Sequence, residues 1–132
     1  MTIQTAGRKP DETGHQYLKR VEREAAKQQL SKTFELQLRG LKLPAYEKEF
    51  LWHPDRNYRA DYIWRPIWFI VELDGGEFME KSGHKTGLGI THDRIRDAEA
   101  LILGYKVLRL TGGMVMDGSG VGYIEKLFRG TR

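Results

Sequence analysis

Apolar positions along the chain recur first at helical spacing and then, past the middle of the first half, at the spacing of strands. From His15 to about Leu38, Leu18, Val21 and Ala25 stand three and four residues apart in a stretch free of Pro and Gly, which predicts an amphipathic helix. Ser31-Lys32-Thr33 is suited to cap a second helix with Phe34, Leu38 and Leu41 as its stripe, so the pattern allows one bent helix or two. Gly40 and Pro44 end it. Strands are then predicted over Tyr46–His53, Tyr58–Trp64 and Trp68–Asp74, with a turn-rich His53–Asn57 and a tight Arg65-Pro66 connection between them. Gly75-Gly76 breaks the third strand, and residues 77–89, with four glycines or serines and no period, read as a long loop of the kind that often binds. A helix follows over Ile90–Leu103, with Ile95, Ala98, Leu101 and Ile102 on one face. A fourth strand is predicted over Tyr105–Leu110, a glycine-rich link after it, and a short terminal helix over 121–129. The order is α-β-β-β-α-β-α, a mixed α/β (α+β) arrangement with a central sheet flanked by helices.

Length fits one domain, with residues 1–14, polar and containing Gly7, Pro10 and Gly14, as a flexible arm and 15–132 as the folded unit. There is no cysteine, so any metal is held by oxygen or imidazole rather than thiolate. The polar start lacks the apolar stretch of a signal peptide, and no segment approaches the roughly 20 apolar residues of a membrane span, so a cytoplasmic protein is expected. Lys plus Arg exceed Asp plus Glu by 22 − 18 = 4, and the pI is near 9.4, a balance compatible with a polyanionic partner.

Chemistry is legible in the hairpin of the second and third strands. Trp68, Ile70, Glu72 and Asp74 share one face by alternation. With Arg65-Pro66 as the loop, Trp64 pairs with Ile67, Asp61 falls opposite Ile70, and Arg59 opposite Glu72. Asp61 and Glu72 are then diagonal neighbours on one face, roughly 7–8 Å apart, a spacing from which two carboxylates converge on a hard cation. Glu72 lies in the apolar run Phe69-Ile70-Val71-Glu72-Leu73, where an unpaired charge is expensive; a buried ion pair with Arg59 is the ordinary alternative to a metal site.

From Phe34 to Thr111, about 60% of the chain, the sequence resembles small phage and bacterial endonucleases of the PD-(D/E)XK superfamily, the branch similar to very-short-patch-repair endonucleases. The resemblance rests on Phe34-Glu35-Leu36-Gln37-Leu38-Arg39, His53-Pro54-Asp55-Arg56, Tyr58-Arg59-Ala60-Asp61-Tyr62, Val71-Glu72-Leu73-Asp74-Gly75-Gly76, Gly83-His84-Lys85-Thr86-Gly87 and Gly104-Tyr105-Lys106-Val107-Leu108-Arg109, in that order. It implies a restriction-endonuclease-like core and a Mg²⁺ ion, with Mn²⁺ as a substitute, on Asp61 and Glu72, completed by Glu35 from the preceding helix and the backbone carbonyl of Leu73. Where the superfamily motif carries lysine, two residues after the glutamate, this chain has Asp74, as the similar subfamily often does.

Hydrolysis of a phosphodiester needs an in-line water, relief of charge at phosphorus and help for the leaving oxygen, much of which metal ions supply. Asp74 is suited to a second ion or to orienting water, and His84 and Lys85 are the preferred source of the missing positive charge, ahead of Lys81, His92 and Arg96. Arg56, Arg59, Lys81, Lys85 and Arg96 are candidate DNA contacts, and the basic series Arg8, Lys9, Lys19, Arg20, Arg23, Lys27 and Lys32 is suited to tracking phosphates, though Glu22 and Glu24 interrupt it. Each has an ordinary alternative: Glu35 as a solvated helix residue, His84 and Lys85 as loop solvation, Trp52, Trp64 and Trp68 as packing rather than stacking platforms. The expected activity is DNA cleavage, structure-selective on branched DNA in the manner of a Holliday-junction resolvase working as a homodimer. The alternatives are a mismatch-directed or strand-nicking repair enzyme, and a silent nucleic-acid-binding module of the same fold.

Overall fold

The structure, a computed structural model, describes residues 7–74 and 87–130. Helix α1 (Gly14–Leu41) is followed by strands β1 (Glu47–Leu51), β2 (Arg59–Trp64) and β3 (Phe69–Asp74), helix α2 (Gly87–Leu103), strand β4 (Lys106–Thr111) and helices α3 (Gly112–Met116) and α4 (Ser119–Arg129). The four strands form one mixed sheet in the order β1-β2-β3-β4, antiparallel except for the parallel pair β3–β4, which α2 joins as a crossover.

One helix, not two, fills the first 28-residue element. Thr13 begins it through a reciprocal capping box with Gln16, whose side chain returns a bond to the Thr13 N–H. Ser31–Thr33 run through it as helix because Leu30, Phe34 and Leu38 are buried together on the sheet, and that packing outweighs local capping preference. The segment just before it is not a free arm. Arg20 donates to Glu12 and to the carbonyl of Gly7, folding residues 7–13 onto the helix; residues 1–6 of the predicted arm lie outside the described residues.

Helices cover both sides of the sheet. On one, Phe34 and Leu38 of α1 meet Tyr62, Trp64, Phe69, Val71 and Leu73, with Leu110, Val115 and Ile124 closing the layer. On the other, Ile63 and Ile70 pack with Trp52 and with Ala100 of α2. The predicted apolar stripe of α2 does not face this core. Leu101 and Ile102 are each 77% exposed and Ile95 is exposed too, while Ala100, half-buried Leu103 and the charged Arg96 and Asp97 stand on the inner side. A small residue against the sheet and charges toward its end leave room for polar groups above Glu72.

The glycine-rich link after β4 is also helical. Thr111 caps α3 by accepting from the Met114 N–H, and the Asp117 carboxylate accepts from the Ser119 N–H at the start of α4. Gly118, at φ 82°, makes the left-handed step between them. Gly120 permits the close seat of α4: a Cβ there would lie 2.8 Å from Leu110 Cδ1 and 3.3 Å from the Met114 carbonyl oxygen.

The β2–β3 hairpin differs from expectation by two residues. Trp64 pairs with Phe69, Ile63 with Ile70 and Tyr62 with Val71, so the connection is four residues long. Arg65–Ile67 form one 3-10 turn, and Trp68 closes it in the left-handed region (φ 54°, ψ 48°) with its N–H donating to the Arg65 carbonyl. The reason is local: of the two favoured two-residue turns, one needs positive φ at Pro66, which the ring forbids, and the other wants glycine where Arg65 stands. A displacement of two keeps every side chain on its own face. Asp61 and Glu72 therefore remain on a common face, but directly opposed rather than diagonal, and Arg59 is not the cross-strand neighbour of Glu72.

Candidate functional site

At Asp61 the sheet loosens. The β1–β2 pairing runs from Lys48↔Tyr62 to Phe50↔Ala60 and skips Asp61, and the β2–β3 pairing stops at Tyr62↔Val71. Side chains take over the backbone bonds: the Asp61 N–H donates to Glu72 Oε2 (3.1 Å), and the Leu73 N–H donates to Asp61 Oδ2 (2.8 Å). Each acid is thus fixed by the other's strand, with one oxygen committed to a backbone amide. The second oxygen of each faces a cation, Lys27 Nζ at 3.8 Å from Asp61 Oδ1 and Arg96 Nη1 at 3.5 Å from Glu72 Oε1. These are long contacts, weaker than a bidentate pair.

Glu72 is a charged residue in the core, 6% exposed. Burial first, and the neighbouring Asp61 charge second, push its carboxyl up to about 7, against the opposing pull of the Asp61 amide and Arg96. The pair opens into a cavity of about 290 Å³ whose walls carry four acids (Glu49, Asp61, Glu72, Asp74) and four bases (Lys27, Arg59, Arg96, Arg109), together with Leu73. Arg109 is the parallel-sheet partner of Glu72 and is tied to Asp97 at 2.6 Å. Burial works against its charge, but Asp97 and the acids around it outweigh that and hold the guanidinium protonated.

Among the residues expected from sequence, Asp61, Glu72, Leu73, Asp74, Arg59 and Arg96 come together around this cavity. Leu73 reaches it through its N–H. Glu35 does not join them. It accepts from the Tyr62 hydroxyl (2.7 Å) and pairs with Lys48 Nζ (2.8 Å) in a neighbouring groove of about 600 Å³, which Asp61, Lys27 and Glu49 also line. Tyr62 lies on the α1 side of the sheet, and Glu35 follows it there; burial and the Glu35 charge both raise the Tyr62 phenol, keeping it a proton donor to that carboxylate. Arg56 is exposed on the turn before β2, against the Tyr58 ring. Lys81, His84 and Lys85 lie outside the described residues.

Lys27, Glu49 and Arg109 are the residues that sequence reasoning passed over at this site. Lys27 stood only as one of a series of basic residues on the first helix; its place is set by the length of α1, which carries it two turns ahead of Glu35 to the open end of the hairpin. Glu49 sits opposite Asp61 at φ 54°, an unusual conformation for glutamate that no sequence pattern announces.

Two opposed carboxylates in a polar cavity, one of them hard to ionise because it is buried beside the other's charge, suit a hard divalent cation such as Mg²⁺. The donor chemistry fits such an ion, which Asp61 and Glu72 would hold. Among the described residues no group of three or more His, Asp or Glu side chains is gathered for a metal. The four basic residues around the acids suit a phosphate. Comparison with protein-family models, with curated proteins and with solved structures finds no match to this chain, and what it does is read from this cavity.

Proposed function

We propose that the protein is a metal-dependent DNA endonuclease with a restriction-endonuclease-like core. The single observation that carries this is the direct opposition of Asp61 and Glu72 across loosened strands, inside a wall of Lys27, Arg59, Arg96 and Arg109. A bound Mg²⁺ supplies water activation and charge relief at phosphorus. Asp61 and Glu72 hold it, each oriented by a backbone amide of the other strand. Asp74 lies on the same cavity wall, in place to accept a proton from an attacking water. Lys27 and Arg96 take the role for which Asp74 leaves no motif lysine: both face the acids and are in reach of a phosphate drawn to them. Arg59 and Arg109 widen that basic rim.

Branched DNA is the preferred substrate and a homodimer the working form, because paired cuts on a four-way junction need two sites related by a twofold axis. A second reading, a silent nucleic-acid-binding module, is favoured by one observation: each acid already has a basic partner. Incubation with Mg²⁺ and labelled duplex, flap, mismatch, single-stranded and four-way-junction DNA separates the two. The expected result is cleavage of the branched substrates that stops on chelation and in Asp61→Asn and Glu72→Gln, with binding kept within a few fold. Normal cutting by both variants removes the site from consideration; binding without cutting by the native chain selects the silent module.

A further inference from the structure

A second recess is lined by residues from the end of β1 and just after it, from the β2–β3 turn and from just before β4. It is a cleft of about 460 Å³, within the range of small-ligand sites, walled by Phe50, Trp52, His53, Arg65, Trp68 and Tyr105. Three features set it apart from ordinary packing. Trp68 is half exposed, where Trp52 and Trp64 are buried as a tryptophan in a hydrophobic hairpin is expected to be. Its backbone is held at φ 54°, a conformation costly for a bulky residue and typical of sites where a side chain must be aimed. The Trp52 indole N–H is buried with no acceptor among the described residues, although buried donors are almost always paired.

The rings form a connected series. Trp68 lies 4.9 Å from Tyr105, Tyr105 lies 5.3 Å from Trp52, and Trp52 lies 5.5 Å from Tyr58. The Arg96 guanidinium sits 5.4 Å above Tyr58 and reaches Glu72 at 3.5 Å. The series links the cleft to Arg96 through Trp52, which is buried, so the cleft and the carboxylate pair are joined by packed rings rather than by an open groove. Trp68 stands at the turn that leads into β3, four positions before Glu72 in the sequence.

We propose that this cleft receives an unpaired nucleobase of the substrate, stacked on Trp68 and Tyr105, while the scissile phosphate lies at Asp61 and Glu72. The proposal builds on the nuclease function and gives it a reason to prefer branched over plain duplex DNA: only a strand with unstacked bases presents a free face to the rings. A planar, polar-edged base suits the cleft better than an aliphatic peptide, since aromatic faces dominate its walls.

The test measures binding of single-stranded oligothymidylate to the full chain, in chelator so that nothing is cut, by native chain, Trp68→Ala, Trp68→Gly and Trp68→Phe. Glycine adopts the left-handed backbone freely, so Trp68→Gly removes the ring without straining the turn, and circular dichroism verifies its fold. Loss of roughly 5- to 150-fold in affinity is expected for the two small residues, the range for one stacked base, with Trp68→Phe retaining most of it and duplex binding unchanged in all. Equal single-strand affinity in native chain and Trp68→Gly overturns the proposal, as does a native chain that leaves oligothymidylate unbound. Ring-dependent binding by a chain that cleaves none of the five substrates upholds the cleft and removes the nuclease. Cleavage with no dependence of binding on Trp68 does the reverse.

Discussion

Glu72 is a carboxyl buried in an apolar strand, and its chemistry follows from where it sits. Its burial and the Asp61 charge raise it from 4.5 to about 7 without metal. Between those values the folded chain keeps a proton that the unfolded chain has released, so stability is highest below about pH 4.5 as far as this group is concerned and falls as pH rises through 7. At ~1.4 kcal/mol per pH unit the loss is about 3 kcal/mol. Urea denaturation in chelator is expected to show the decline for the native chain and a flatter profile for Glu72→Gln, with the variant the more stable of the two above neutrality. Parallel profiles would assign the slope to other groups. The identity of the acids was legible in the sequence, because Asp61 and Glu72 interrupt apolar strands and alternation puts them on one face. Their basic partner was not: Arg59 was the neighbour under a two-residue loop, and Arg96 replaces it because α2 lays its charged side over Glu72.

Elements were largely readable and their connections were not. The four strands stand within about two residues of where alternation puts them, since a half-buried sheet enforces period two. The turn between β2 and β3 escaped because Pro66 excludes the short turn that sequence spacing suggests. The α2 stripe misled for a different reason. Ile95, Leu101 and Ile102 are a well-formed apolar face, yet the sheet takes Ala100 and the polar side instead, and periodicity alone does not say which of two faces turns inward. The segment after β4 was passed over as glycine-rich, although the glycines serve close packing of α3 and α4. That packing is testable. Gly120→Val forces a side chain onto Leu110 Cδ1 and the Met114 carbonyl and is expected to cost about 1–3 kcal/mol in urea denaturation. Gly122→Ala, which meets nothing within 4 Å, is expected to be neutral or to stabilise by up to about 1 kcal/mol through helix propensity.

For the whole molecule, helices on both faces of one mixed sheet leave the loosened end of the β2–β3 hairpin as the place where polar groups gather. No helix among the described residues is long and apolar enough to cross a membrane. A divalent ion held by the acidic pair, as proposed, would act on the entire fold, since the native state alone holds the two carboxylates together. At a hundredfold excess over its Kd the ion adds about 2.7 kcal/mol of stability. Thermal denaturation is therefore expected to shift upward with Mn²⁺ or Mg²⁺ in the native chain and not in Asp61→Asn. The shift should shrink below neutral pH, where Glu72 must first give up its proton. An equal shift in the variant would mean that the ion binds elsewhere.

The two acids belong to a single hairpin, which Arg59 shares, whereas Lys27, Arg96 and Arg109 come from α1, α2 and β4, each a different element outside it. Such a division separates what must stay constant from what is free to drift. Exchanges at Lys27, Arg96 or Arg109 alter one wall at a time, so under the proposed function a lineage could retune which nucleic-acid shapes it grips without losing the residues proposed to hold the ion. A change within the hairpin has no such latitude, because both carboxylates lean on each other's backbone.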